Sequence, residues 1–178
     1  MDARKESEPA PMKHPTTVER KSEREFVVTR TFNGPARLVF EAWTKPELIK
    51  QWWVPKSMNM SMLSCETDVR VGGKYRYVFS YEGSTMEFFG RYTEVTPHSR
   101  LVWTNEEGEG GEAVTTVTFE EKGGKTLLVL SELHPSKEAC DSAIGFGEGL
   151  RETFVQLDEL LVTLAPFTPS RRQSTDGG

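Results

Sequence analysis

The chain has 178 residues, of which 36% are hydrophobic and 28% charged, with a formal net charge of −5. That length is about one domain, enough to bury a core. The acidity argues against nucleic acid or an anionic membrane as the main partner. No apolar run approaches the roughly 18 residues of a membrane span, and the amino-terminal residues lack the apolar stretch of a secretory leader.

Both ends read as unfolded tails. Residues 1–24 hold almost no large apolar side chain, and residues 166–178 (PFTPSRRQSTDGG) are rich in Pro, Ser and Gly. Such segments bury too little apolar surface to offset the entropy of ordering. The folded domain is therefore predicted over 25–165. The two cysteines, Cys65 and Cys140, have no CxxC spacing and no histidine cluster nearby, which points to neither zinc nor a redox pair. Two free thiols fit a reducing cytoplasm. No cofactor or metal site is indicated.

In chain order, 24–32 (REFVVTRTF) alternates as a first strand, and Asn33-Gly34-Pro35 ends it. Pro35 suits the first turn of a helix, and Leu38, Val39 and Ala42 follow at helical spacing. Lys45-Pro46 interrupts, and 46–52 starts a second short helix. A loop over 54–61 leads to a strand near 62–70, then a turn at Val71-Gly72-Gly73. The segment 74–81 (KYRYVFSY) alternates strictly, with Tyr75, Tyr77, Phe79 and Tyr81 on one face. Further strands are predicted at 85–95, 99–105, 113–121 and 125–133, joined by hairpin turns.

The last element changes period. Leu150, Phe154, Leu157, Leu161 and Leu164 form one stripe of a helix about 20 residues long, over 145–164. Gly145, Gly147 and Gly149 fall at or just inside its start, so that turn is either frayed or kept slim for a neighbour. The order is one strand, two helices, six strands and a helix (β-α-α-β6-α). The apolar stripe needs a surface, and the concave face of the sheet provides it. The fold class is α+β.

At this point the chain resembles a known family. The resemblance rests on Phe32-Asn33-Gly34-Pro35 with Val39-Phe40-Glu41-Ala42-Trp43-Thr44; Pro46-Glu47-Leu48 leading to Trp52-Trp53; Asp68-Val69-Arg70-Val71-Gly72-Gly73; Gly90 with Tyr92, Glu94 and Val95-Thr96-Pro97; Arg100-Leu101-Val102-Trp103; and Gly145-Phe146. These stretches resemble the START/birch-allergen (SRPBCC) superfamily. Within it they are similar to the polyketide-cyclase-like branch of homologues of the activator of the heat-shock-protein-90 ATPase. The resemblance implies the helix-grip fold, a curved antiparallel sheet wrapped around a long C-terminal helix with a cavity between them. Members of that superfamily variously bind hydrophobic ligands, catalyse cyclisation or dehydration, or bind chaperones, so the fold alone does not fix the function.

Candidate ligand-binding residues follow from the inner faces: Trp53, Tyr75, Tyr77, Phe79, Trp103, Phe146, Leu150 and Phe154. Adjacent Trp52 and Trp53 cannot point the same way on a helix, so one faces the cavity mouth and the other packs elsewhere. Trp43 reads as packing in the hinge of the short helices. Glu132 and His134 share a face at the end of the last strand. Buried, they would make an acid–base pair, although a wet strand end is the plainer reading. Arg70, Arg76 and Arg91 read as solvated strand charges, and Glu106, Glu107, Glu109 and Glu112 as a solvated hairpin loop.

Binding of a small hydrophobic molecule ranks first among the functions. A cyclase- or hydrolase-type enzyme in the same cavity ranks next, and a chaperone-binding module last, since it rests on the family label alone. No nucleic-acid partner or membrane span is expected. Homodimer formation is compatible with the sequence but demanded by no stripe in it.

Overall fold

The computed structural model describes residues 15–164 apart from residue 109. Of the expected tails, residues 1–14 and 166–178 lie outside the described residues. The strands are β1 (Thr17–Arg20), β2 (Glu25–Phe32), β3 (Ser61–Thr67), β4 (Lys74–Tyr81), β5 (Ser84–Thr96), β6 (Arg100–Asn105), β7 (Ala113–Lys122) and β8 (Lys125–Leu133). The helices are α1 (Ala36–Thr44), α2 (Pro46–Trp52) and α3 (Lys137–Leu164), with a short 3-10 turn at Lys56–Met58. The strands form one antiparallel sheet in the order β1-β2-β8-β7-β6-β5-β4-β3, so this is the expected helix-grip α+β fold.

Alternation decides the inner face. Tyr75, Tyr77 and Phe79 of β4 are buried while Lys74 and Arg76 are exposed. Phe26, Val28, Arg30 and Phe32 of β2 point the same way. Register shifts near Leu63 in β3 and Thr93 in β5 mark bulges, which bend a strand and help the sheet curl. At Gly90 of β5 a side chain has no room, because a Cβ there would lie 1.9 Å from the Thr104 carbonyl oxygen.

Two expectations about the chain's ends are corrected. First, ordered structure begins inside the segment read as a tail. Strand β1 pairs with β2 from Thr17↔Thr29 to Arg20↔Phe26. Its side chains are mostly exposed, so backbone pairing holds it. Arg20 adds an ion pair to Asp141 at 2.8 Å, and the Arg151 guanidinium donates to the Thr16 carbonyl. Second, the last helix spans 28 residues and starts at Lys137, not 145. The Ser136 hydroxyl accepts from the Ala139 amide at 3.1 Å and caps it. The three glycines therefore lie inside the helix. An added Cβ at Gly147 would stand 2.9 Å from the Phe26 ring, whereas Gly145 and Gly149 have open space around theirs.

The carboxyl-terminal half of α3 closes the domain. Phe154 packs edge-on to Phe32 with centroids 5.2 Å apart, and Leu150, Leu157 and Leu161 are fully buried. Buried Gln156 ties this helix to the end of α2. Its amide donates to the Trp52 and Val54 carbonyls at 3.1 and 3.0 Å and accepts from the Lys56 amide at 2.9 Å. Arg30 reaches Asp158 from the inner face of β2 in a partly buried ion pair.

Candidate functional site

The amino-terminal half of α3 stands off the sheet and leaves a cavity of about 530 Å³. Its aromatic wall comes from Tyr75 and Tyr77 of β4, Phe88 of β5, Trp103 of β6, Trp53 after α2, and Phe146 of α3. The rings pack on one another: Trp53 lies 5.1 Å from Tyr77 and 5.8 Å from Phe146, and Tyr75 lies 5.3 Å from Tyr77. Small residues on α3 (Ala139, Ser142, Ala143) keep the opposite side open.

One end of the cavity is polar. The Tyr75 hydroxyl lies 2.8 Å from the Thr104 carbonyl oxygen and 3.1 Å from Asn105 Oδ1. Asn105 Nδ2 donates to the Thr115 hydroxyl at 2.7 Å, and that hydroxyl donates to Glu132 Oε2 at 3.3 Å. The other Glu132 oxygen lies 3.0 Å from His134 Nε2. A chain of hydrogen bonds thus crosses β4, β6, β7 and β8, and Tyr75, Asn105, Glu132 and His134 all line the cavity. Alternation produces it, since Thr115 faces Glu132 across one strand pair and Trp103 across the next.

Glu107, from the β6–β7 loop, also lines the cavity. It accepts from the Phe89 amide at 3.1 Å. Although Glu107 is exposed, partial desolvation raises its pKa above the usual carboxylate value, with the nearby Glu132 charge adding in the same direction. Burial likewise pushes the Tyr75, Tyr77 and Tyr92 phenols up, so they stay protonated as donors. Among the described residues no group of three His, Cys, Asp or Glu is placed to hold a metal ion.

Of the candidate ligand-binding residues, Trp53, Tyr75, Tyr77, Trp103 and Phe146 converge on the cavity. Phe79, Leu150 and Phe154 do not line it. Phe79 sits farther along β4 and packs on Phe88 at 5.2 Å. Leu150 and Phe154 lie where α3 has closed onto the core; Phe154 meets Phe32, Trp43 and Trp52. The tryptophan pair divides as expected: Trp53 faces the cavity, and Trp52 is fully buried with its indole N–H donating to the Ala42 carbonyl at 2.9 Å. Trp43 packs in the hinge against both.

One plainer reading is overturned. Glu132 and His134 are buried, and the His134 ring stacks on Phe26 at 5.9 Å. Glu107 is exposed, as a solvated loop implies, but it also borders the cavity mouth, while Glu106 and Glu112 pair with Arg91 at 3.1 and 3.3 Å. Arg70 and Arg76 are exposed partners of Asp68 and Glu87. Sequence reasoning missed Thr115, whose only available signal was its place opposite Glu132 once register is known.

Fold and site together define a helix-grip domain with an aromatic-walled cavity that opens at the β6–β7 loop. A family model described as "Activator of Hsp90 ATPase homolog 1-like protein" matches residues 33–162, and the chain belongs to that family. Among solved structures, a Nitrosomonas europaea protein is 27% identical with a TM-score of 0.71, the match covering 79% of this chain and 96% of that one. A Staphylococcus epidermidis protein is 28% identical with a TM-score of 0.67, covering 83% and 94%. A Rhodobacter sphaeroides protein, at 23% identity and a TM-score of 0.76 over 84% and 99%, shares the fold. Among curated proteins the chain has no match. No helix among the described residues is long and apolar enough to cross a membrane.

Proposed function

We propose that this domain binds a small hydrophobic molecule between the sheet and the amino-terminal half of α3. The observation that carries this reading is the cavity of about 530 Å³ behind an aromatic wall, within the roughly 300–1,000 Å³ of small-molecule sites. A reducing cytoplasmic location accords with the two buried free thiols, Cys65 and Cys140. Native mass spectrometry of protein purified from its own host tests the reading. A co-purifying mass is expected, and it is lost in Ala143→Trp, which fills the space from the α3 side. Retention of that mass in Ala143→Trp places it elsewhere and refutes the proposal.

A second reading, a cyclase- or hydrolase-type enzyme, is favoured by one observation: the Glu132–His134 pair opens onto the same cavity. A carboxylate that orients an imidazole is a common acid–base arrangement. If the co-purified molecule is turned over, His134→Gln abolishes turnover while the molecule still binds. Equal turnover by wild type and variant removes this reading. Chaperone binding is supported by the family description alone.

A further inference from the structure

We propose that the cavity selects a hydrophobic amine, with the ammonium group among Glu107, Glu132 and His134 and the apolar body against Trp53, Tyr77, Trp103 and Phe146. This rests on the ligand-binding reading above and names its chemical class.

The titratable side chains facing the cavity include two carboxylates, Glu107 and Glu132, and one imidazole. No lysine or arginine among the described residues lines it. Arg91 pairs with Glu106 and Glu112, and Arg24, which donates to the His134 carbonyl at 2.9 Å, does not line the cavity. Two carboxylates that border one cavity, with no lysine or arginine in its lining, repel each other. A cationic guest relieves that repulsion.

Hydrogen-bond accounting points the same way. Glu132 accepts from Thr115 and His134, and Glu107 accepts from the Phe89 amide. A carboxylate has about four acceptor positions and no donor, so both retain unused acceptor capacity. In the neutral tautomer that donates from Nε2 to Glu132, the Nδ1 of His134 is an acceptor as well. The Tyr75 hydroxyl proton is directed at the Thr104 carbonyl and Asn105 Oδ1. The polar end therefore offers chiefly acceptors, and its complement is a donor-rich group such as an ammonium.

The walls agree. Trp53, Trp103, Tyr75 and Tyr77 line the same space, and the faces of Trp and Tyr rings attract cations. At about 30 Å³ per heavy atom in a liquid, the cavity has room for roughly 15–20 heavy atoms. A bicyclic aromatic amine fits.

The test uses the full chain and three probes of one shape: 1-naphthylmethylamine, 1-naphthylmethanol and 1-naphthoate, titrated calorimetrically at neutral pH. The amine is expected to bind at least about tenfold tighter than the alcohol, and the carboxylate weakest. Glu107→Gln and Glu132→Gln each lower amine affinity by about three- to tenfold and leave alcohol affinity nearly unchanged. Circular dichroism confirms that each variant is folded, and Glu107→Gln stands on its own if Glu132→Gln is not. An amine no tighter than the alcohol, or a preferred carboxylate, overturns the amine assignment and leaves the cavity reading intact. Binding of none of the three overturns both. Amine binding unchanged by Ala143→Trp places the amine outside the cavity and also overturns the assignment.

Discussion

Replacing each of the three helical glycines by alanine separates two effects that share one stretch of α3. In a helix interior, Gly→Ala gains about 0.8–1.0 kcal/mol. At Gly145 and Gly149 an added Cβ meets nothing within 4 Å, so the gain should appear in full. At Gly147 the Cβ would stand 2.9 Å from Phe26 Cε1 and 3.3 Å from Cδ1. The Phe26 ring is fully buried and backed by His134, so it must shift within a packed core. Overpacking of this kind costs about 1–3 kcal/mol, which offsets or exceeds the propensity gain. Gly145→Ala and Gly149→Ala should therefore each raise the thermal midpoint by about 2–4 °C, and Gly147→Ala should leave it unchanged or lower it. Urea denaturation gives the free energies directly. Combining Gly147→Ala with Phe26→Leu should recover part of the loss, a coupling that a double-mutant cycle isolates. Equal stabilisation by all three alanines would refute the reasoning.

Three further outcomes follow from contacts already described. Gln156→Leu strands the Trp52 and Val54 carbonyls and the Lys56 amide and should cost about 2–4 kcal/mol in urea denaturation, given about 1–3 kcal/mol per orphaned group and some access of water. Burial pushes the Cys65 thiol up to about 11 and raises Cys140 as well. Ellman's reagent at pH 8 should therefore label neither in the native protein and both after unfolding; fast native labelling contradicts this. Partial desolvation raises the pKa of the largely exposed Glu107, so the folded state holds that proton slightly more tightly than the unfolded state does. Stability then falls as pH rises from the unfolded value of 4.5 through the folded one. Glu107→Gln should stabilise at neutral pH, and the gain should vanish below about pH 4. A gain that persists in acid would show a different cause.

Much of the frame was legible in the sequence because two periods write it plainly. Tyr75, Tyr77 and Phe79 alternate at period two, and Leu150, Phe154, Leu157 and Leu161 recur at helical steps; both faces are buried as read. Strand β1 was not legible, since Thr17–Arg20 carries little apolar signal and is held by backbone pairing to β2. The start of α3 was missed because Gly145, Gly147 and Gly149 resembled a boundary, while the capping Ser136 lies several residues earlier. At the site, period identified Tyr75, Tyr77 and Trp103 but not how far the cavity extends. Phe154 has the same character as Phe146, yet only Phe146 lies where α3 stands off the sheet. Glu107 is one of four glutamates in a glycine-rich loop, and nothing local distinguishes the one that borders the cavity.

The strand order has a consequence for how the chain assembles. Strand β2 finds its partner in β8, with Glu25 opposite Leu133 and Phe32 opposite Thr126, and β1 rests on β2 alone. During synthesis the amino-terminal strands must wait, unpaired on one side, until nearly the whole sheet has emerged. The hairpins from β3 to β8 pair with sequence neighbours and can form early. Closing so long a loop is slow relative to local pairing, so the last step to native structure should be the docking of β1 and β2 together with α3. The cavity would then come into being only at that step, when its helical side arrives.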